Sequence, residues 1–232
     1  MLGSLATGDD LAALYAPLLG AEMASRPYVV AHLAQSLDGC IALPAGESQW
    51  ISGHDDLVHT HRLRALCDAV LVGARTVMHD DPQLTVRHVE GPHPLRVILD
   101  PRGRLNANYQ VFEGGPERTL VVARAPRPDL EGRVEVVLLP SDEAWVAPSV
   151  VLEVLAQRGI QRVLVEGGGI TVSRFLEAGL VDRLHLVMAP LLVGLGRPSL
   201  SGSLGATLAS CPRPSTRVWP LGQDWLFDCV FA

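Results

Sequence analysis

The sequence predicts a three-layer α/β/α protein, with a mostly parallel mixed central sheet, helices on both faces and an antiparallel C-terminal hairpin. Three observations predict it. Short, continuously apolar runs such as DAVLVG (68–73), LRVILD (95–100) and QRVLVE (161–166) suit strands buried on both faces of a parallel sheet. These runs alternate with stretches whose apolar residues recur at helical spacing. The closing segments TRVWP and DWLFDCVF flank Leu221-Gly222-Gln223 as two arms of a hairpin. With 232 residues, 48% of them hydrophobic, the chain can fill one sizeable core. One domain is therefore expected over residues 26–232, after a lead-in segment over 1–25.

In the lead-in, Asp9 or Asp10 is placed to cap a helix in LAALYAPLLG that Pro17 limits. YVVAHLAQ (28–35) reads as a strand ended by the Asp38-Gly39 turn. DDLVHTHRLRAL (55–66) reads as an amphipathic helix facing inward through Leu57, Val58, His61, Leu63 and Leu66. DAVLVG, LRVILD, TLVVA (119–123) and VEVVLL (134–139) follow as strands. VVLEVLAQRG (150–159) and ITVSRFLEAG (170–179) are helices, each closed by glycine just past its end. QRVLVE and DRLHLVMAP (182–190) are the strands beside them, and 193–217, rich in Gly, Ser and Pro, reads as a long loop.

Composition excludes several function classes. A net charge of −6 speaks against nucleic acid or an anionic membrane as partner. No apolar run reaches the roughly 18–20 residues that span a bilayer, and the start of the chain lacks the marks of a secretory signal, so a cytoplasmic protein is expected. Cys40, Cys67, Cys211 and Cys229 are scattered, without a C-x-x-C pair. All 19 basic side chains are arginine. That rules out a lysine Schiff base and a P-loop lysine, so phosphate must be recognised by arginine forks, backbone N–H groups or helix starts. No metal site is expected: His59 and His61 are two apart and cannot share a helix face, and a solvated helix accounts for them.

Three stretches carry chemistry. In VLVEGGGITVSRFLEAG (163–179) a strand runs through Gly167, Gly168 and Gly169 into a helix, where bare backbone and free N–H groups suit a dinucleotide pyrophosphate. In LVGARTVMHDDPQLTVR (71–87) a strand ends at Gly73, Thr76 is placed to cap a short helix, Asp80 can orient a ribose or pass a proton, and Arg87 can clamp a phosphate. In GESQWISG (46–53) Ser48 can donate to a phosphate oxygen and Trp50 can stack on a flat ring, with Arg64 on the following helix turned to the same cleft. Each stretch alone also fits a ligand-free turn or a capping loop.

Together with YVVAHLAQSLDGCIA, PLRVILDPRGRL and DRLHLVMAPLLVG, these blocks stand in one order at close spacing over residues 26–200. The chain resembles the reductase domain of the bifunctional riboflavin-biosynthesis deaminase/reductase family, with a weaker echo of dihydrofolate reductase in Gly73-Ala74-Arg75-Thr76. No H-x-E or P-C-x-x-C of the deaminase half occurs, so a free-standing reductase is expected. The resemblance implies a dihydrofolate-reductase-like fold and an NADPH-dependent reduction of a phosphoribosylaminopyrimidine of the 5-amino-6-(5-phosphoribosylamino)uracil type, by hydride transfer to C1′. It implies cofactor contacts at Ala34, Trp50, Gly73, Thr76, Asp80 and the run from Gly167 through Ile170 and Thr171 to Arg174. Substrate contacts fall at Ser48, Arg64, Leu84, Arg87 and Glu166, with Asp80 or Glu166 handling the proton. A homodimer is implied as well. The 2′-phosphate is left to Arg102, Arg104 or Arg124, unranked.

Two positions depart from the family pattern, His32 and Cys40, where the family carries basic residues. A protonated His32 can stand in for the lost charge. The departures also leave room for another pyrimidine or pterin, or for a cofactor-binding module without turnover.

Overall fold

The computed structural model describes residues 8–20, 25–114, 118–139 and 145–231. The lead-in helix α1 spans Gly8–Leu19. Strands β1 (Tyr28–Ser36) and β2 (Cys40–Ala42) precede α2 (His54–Leu66), β3 (Ala69–Gly73) and α3 (Ala74–Asp80). Then come β4 (Leu95–Leu99), β5 (Thr119–Ala123), β6 (Glu135–Leu138), α4 (Pro148–Ala156), β7 (Arg162–Val165) and α5 (Gly169–Glu177). The chain ends with β8 (Arg183–Ala189), β9 (Arg197–Pro198), β10 (Ser215–Leu221) and β11 (Asp224–Val230).

Nine strands form one sheet in the order β10-β11-β8-β1-β7-β3-β4-β5-β6. From β8 to β6 every neighbouring pair is parallel, while β11 and β10 add on antiparallel, as the sequence predicts. The connection after β3 leads to β4 on one side, and that after β7 leads to β8 on the other. Crossovers of one hand running in opposite directions must lie on opposite faces. A crevice therefore opens between the carboxyl ends of β7 and β3, where open α/β sheets receive ligands.

Strand alternation divides the core in two. Val70, Val72 and Ile98 face Leu63 of α2, Val77 of α3 and the buried Leu14 and Leu18 of α1. Ala69, Leu71 and Val97 face Val151 and Leu155 of α4 and Val172 and Phe175 of α5. Glycines at φ 74 (Gly159) and φ 65 (Gly179) stand just past α4 and α5, where the sequence placed them.

Three local expectations are corrected. α1 begins at Gly8, so Asp9 and Asp10 lie inside its first turn rather than capping it, and Pro17 is followed by two more helical residues. The rest of the lead-in, 1–7 and 21–24, lies outside the described residues. The 193–217 loop is pinned by β9, which pairs antiparallel with β2. The third correction concerns α2. Its inward face is polar, formed by Asp56, His59, Thr60, His61 and Arg64 around Leu63, while Leu57, Val58 and Leu66 are only half-buried.

Candidate active site

The crevice at the strand ends is a cleft of about 610 Å³, lined among others by Ser48, Gly73, Thr76, Asp80, Gly168, Gly169, Ile170 and Thr171. Its floor is the glycine tip. Gly167 adopts φ 112, a left-handed value that favours glycine. A Cβ on Gly169 would lie 2.2 Å from the Ser199 carbonyl oxygen, and one on Gly73 would lie 2.7 Å from Thr171 Oγ1. Gly168 caps α5, so the first N–H groups of that helix lack intrahelical partners at its positive end. Bare backbone, free N–H groups and the hydroxyls of Thr76 and Thr171 suit a diphosphate. The residues present fit a dinucleotide.

On the wall of this cleft, Ser48 Oγ donates to Asp80 Oδ1 at 2.7 Å, across 32 residues. Asp80 is thereby aimed into the cleft. Thr76 is not a helix cap. The strand runs into α3 without a loop, so Gly73 takes the cap position and Thr76 sits in the first turn, with its Oγ1 3.2 Å from where a Cβ of Gly168 would be. Asp81, by contrast, is spent on structure: it accepts from the Gln110 backbone at 2.9 Å and stands in the left-handed region at the end of α3.

Arg64 and Glu166 lie just before the tip and are paired. Arg64 Nε donates to Glu166 Oε2 at 2.7 Å, its Nη2 donates to Glu166 Oε1, and its Nη1 donates to the Thr85 carbonyl at 2.9 Å. Both side chains are nearly buried. Arg64 is thus not a free phosphate clamp, and both Glu166 oxygens already accept hydrogen bonds. The pair positions what lies around it. Arg87 is the exposed cation here, its Nη1 donating to Thr85 Oγ1 at 2.8 Å and its backbone N–H to His61 Nδ1 at 2.8 Å. Burial and the flanking Arg64 and Arg87 push the His61 pKa down to about 3, so the ring is neutral. With Nδ1 accepting, the proton sits on Nε2.

Leu84 is buried at φ 54 in the core on the α2 side of the sheet, and Trp50, 83% exposed at φ 68, stands outside the cleft lining. Together with Asp81 at φ 39, these are the described non-glycine residues with positive φ. All three fall in the stretches that the sequence singled out, where strain of this kind concentrates. Ala34 lies on β1, half-buried against the α2 side of the core.

His32 does not face the ligand cleft. Its Nε2 meets Asp56 Oδ1 at 2.9 Å. Burial pulls its pKa down, but the Asp56 carboxylate outweighs burial and leaves it raised. Cys40 is buried as well, its N–H donating to Ser36 Oγ. Neither position offers a charge to the cleft. His59 and His61, expected on a solvated helix, are both fully buried, His59 between Tyr15 of α1 and His185 of β8, and His61 against the backbone of Arg87 and His88. The Tyr15 hydroxyl is hydrogen-bonded to His59 Nδ1 at 2.5 Å, and His59 Nε2 to His185 Nδ1 at 3.1 Å.

Sequence reasoning missed the parts of the cleft contributed by distant loops. Arg197, Pro198 and Ser201 close one side, and Trp145 closes another, with the Arg174 guanidinium 5.3 Å above its ring. The β2–β9 pairing that brings Arg197 in has no local signal.

Comparison with known proteins agrees with this geometry. The family model described as the RibD C-terminal domain matches residues 27–226. The 2,5-diamino-6-ribosylamino-4(3H)-pyrimidinone 5′-phosphate reductase of Methanothermobacter thermautotrophicus is 38% identical over 176 residues, covering 73% of this chain and 80% of that protein. Among solved structures, the diaminohydroxyphosphoribosylaminopyrimidine deaminase/5-amino-6-(5-phosphoribosylamino)uracil reductase of Thermotoga maritima superposes with a TM-score of 0.76 at 33% identity. The alignment covers 89% of this chain but 57% of that one, so this chain spans little more than half of the bifunctional relative. Dihydrofolate reductase of Enterococcus faecalis, 14% identical over 88% of this chain and 96% of its own, shares the fold with a TM-score of 0.52. Fold, cleft and sequence lead to one assignment: the chain belongs to the RibD C-terminal domain family.

Proposed function

We propose that the chain is an NADPH-dependent reductase of riboflavin biosynthesis that converts a phosphoribosylaminopyrimidine to its ribityl form. The observation that carries this reading is the meeting of the glycine tip with the Ser48–Asp80 pair in one cleft. The tip residues Gly167–Thr171, with Gly73 and Thr76, hold the dinucleotide, which supplies the hydride. Asp80, oriented by Ser48, passes the proton that the ribose ring oxygen takes up as it leaves C1′ to become a hydroxyl. Arg87 holds the 5′-phosphate, and the Arg64–Glu166 pair fixes the loop of Thr85 that carries it. Keeping both reactants in register is the main catalytic task.

The region 26–232 is read as the reductase domain, with α1 as an accessory packed on it. A cytoplasmic site accords with four cysteines that remain unpaired, and no helix of the described residues is long and apolar enough to cross a membrane. A homodimer is supported by one uncovered strip. Val218 and Trp225, 49% and 53% exposed, share the α5 side of the last hairpin with Phe227.

The test is loss of NADPH absorbance with the ribosylaminouracil phosphate, and in parallel with its diaminopyrimidinone counterpart. Turnover of either is expected, and Asp80→Asn and Arg87→Ala are each expected to remove at least about a hundredfold of it. Tight NADPH binding with no oxidation for either compound would replace the reductase by a non-catalytic module, and full rates in both variants would displace the site.

A further inference from the structure

Arg64, Arg96 and Arg183 are the most buried arginines of the described residues, each 5–6% exposed. Two of them have a carboxylate: Arg64 is paired with Glu166 and Arg183 with Asp228. Arg96 has none. Its Nη2 donates to the Glu113 carbonyl and its Nε to the Arg118 carbonyl at 3.3 Å, backbone acceptors that carry no charge. Beside it stands a second cation. A Cβ on Gly114, which adopts φ 95, would lie 3.2 Å from Arg118 Cδ and 3.7 Å from Arg96 Nη2. Burial, and then the charge on Arg118, lower the Arg96 pKa, and Glu113 offsets only part of this. A buried guanidinium facing a like charge is costly unless something of opposite sign joins it.

The two arginines line an open pocket of about 900 Å³ at the amino ends of β4 and β5, walled by Leu84, Thr85, His93 and Gln110. It shares no lining residue with the cleft. β4 runs from one to the other: Arg96, near its start, belongs to the pocket, and Leu99, at its end, to the cleft, about 10 Å further on. Arg96 Nη1 has no partner among the described residues and, unlike Arg124 Nε and Nη2, is not sealed inside the protein. Arg118 is exposed, with its guanidinium unpaired among the described residues. His93 Nδ1 accepts from the Val86 N–H at 3.0 Å, so the neutral ring keeps its proton on Nε2 as a further donor. In a chain of net charge −6, this lining sets two arginines against one carboxylate, that of Glu113.

We propose that the pocket is an anion site, holding free phosphate or the phosphate group of a small monoester between Arg96 Nη1 and the Arg118 guanidinium. Planar N–H donors from the starts of two neighbouring strands match the oxygens of a tetrahedral dianion. The anion supplies the counter-charge that Arg64 and Arg183 find within the protein and Arg96 does not. The site is independent of the cofactor and substrate reading of the cleft.

Calorimetric titration with inorganic phosphate and with ribose 5-phosphate tests it, against sodium chloride at equal ionic strength. The wild type is expected to bind phosphate, and to keep this binding in Arg87→Ala, which alters the exposed cation near the cleft. Arg118→Ala is expected to weaken it at least about tenfold, and the remote Arg158→Ala to leave it unchanged. Arg118 is exposed, and unchanged circular dichroism will show that its variant is folded. Tighter binding of ribose 5-phosphate that Arg118→Ala removes assigns the site to a monoester, and equal binding assigns it to the free ion. Phosphate binding that Arg118→Ala leaves intact, that Arg87→Ala abolishes, or that chloride reproduces overturns the proposal, as does no binding at about 10 mM phosphate.

Discussion

Arg64 and Glu166 show how far single residues can be read. The resemblance marked both as ligand contacts, but nothing in the sequence announced that they bind each other, because 102 residues separate them. A nearly buried guanidinium left without its carboxylate is costly. Glu166→Gln is therefore expected to lower unfolding free energy by about 3 kcal/mol in urea titrations and to cut kcat, since the Thr85 loop loses its anchor. Stability and kcat equal to wild type would show that the pair is idle. Ser48 and Asp80 were both marked as candidates by sequence, yet the hydrogen bond that joins them is a product of the fold. His32 was misread for a plain reason: its strand position is visible in sequence, whereas the Asp56 carboxylate that claims it comes from another element.

Among the elements, α2 departs most from expectation. Its periodicity suggested an apolar inward face, but the buried set is polar and satisfied by partners on α1, β1, β8 and the 85–87 loop. Burial depresses His59 and His185, and burial with Arg64 and Arg87 depresses His61. Below the ordinary histidine value of about 6.5 the unfolded chain takes up protons that these folded rings refuse. Their contribution is complete above that pH and falls as acid is added, by up to about 1.4 kcal/mol per pH unit for each ring. His32 runs the other way: with its raised pKa, its contribution is present below about 6.5 and is lost as pH climbs through the folded value. Urea midpoints are thus expected to drop steeply from about pH 7 to about pH 5; a flat profile would mean that the rings are not held neutral. The glycine tip, unlike α2, stands out in the sequence as a run of three glycines between a strand and a helix, although the Ser199 carbonyl that crowds Gly169 comes from a distant loop. Gly169→Ala, placing a methyl 2.2 Å from Ser199 O, is expected to cost about 1–3 kcal/mol in thermal or urea unfolding and to weaken NADPH binding. Wild-type values on both counts would show that the tip has room.

At the scale of the whole molecule, the parallel strands and the final hairpin followed from composition and period, but the strand order did not. β7 inserts between β1 and β3 after the chain has already reached the far edge, and no local pattern encodes such a return. The 24.9 kDa chain is expected to elute at twice that mass in light scattering, as a closed pair. Val218→Arg with Trp225→Arg should leave a monomer, and a monomeric wild type would remove the dimer. The outermost strand, β10, carries Pro220 near its end. A proline has no N–H to offer a passing strand. Sheet growth at that margin meets a missing rung in the ladder, so the apolar strip of Val218 and Trp225 stays exposed without inviting fibrils to nucleate along its border.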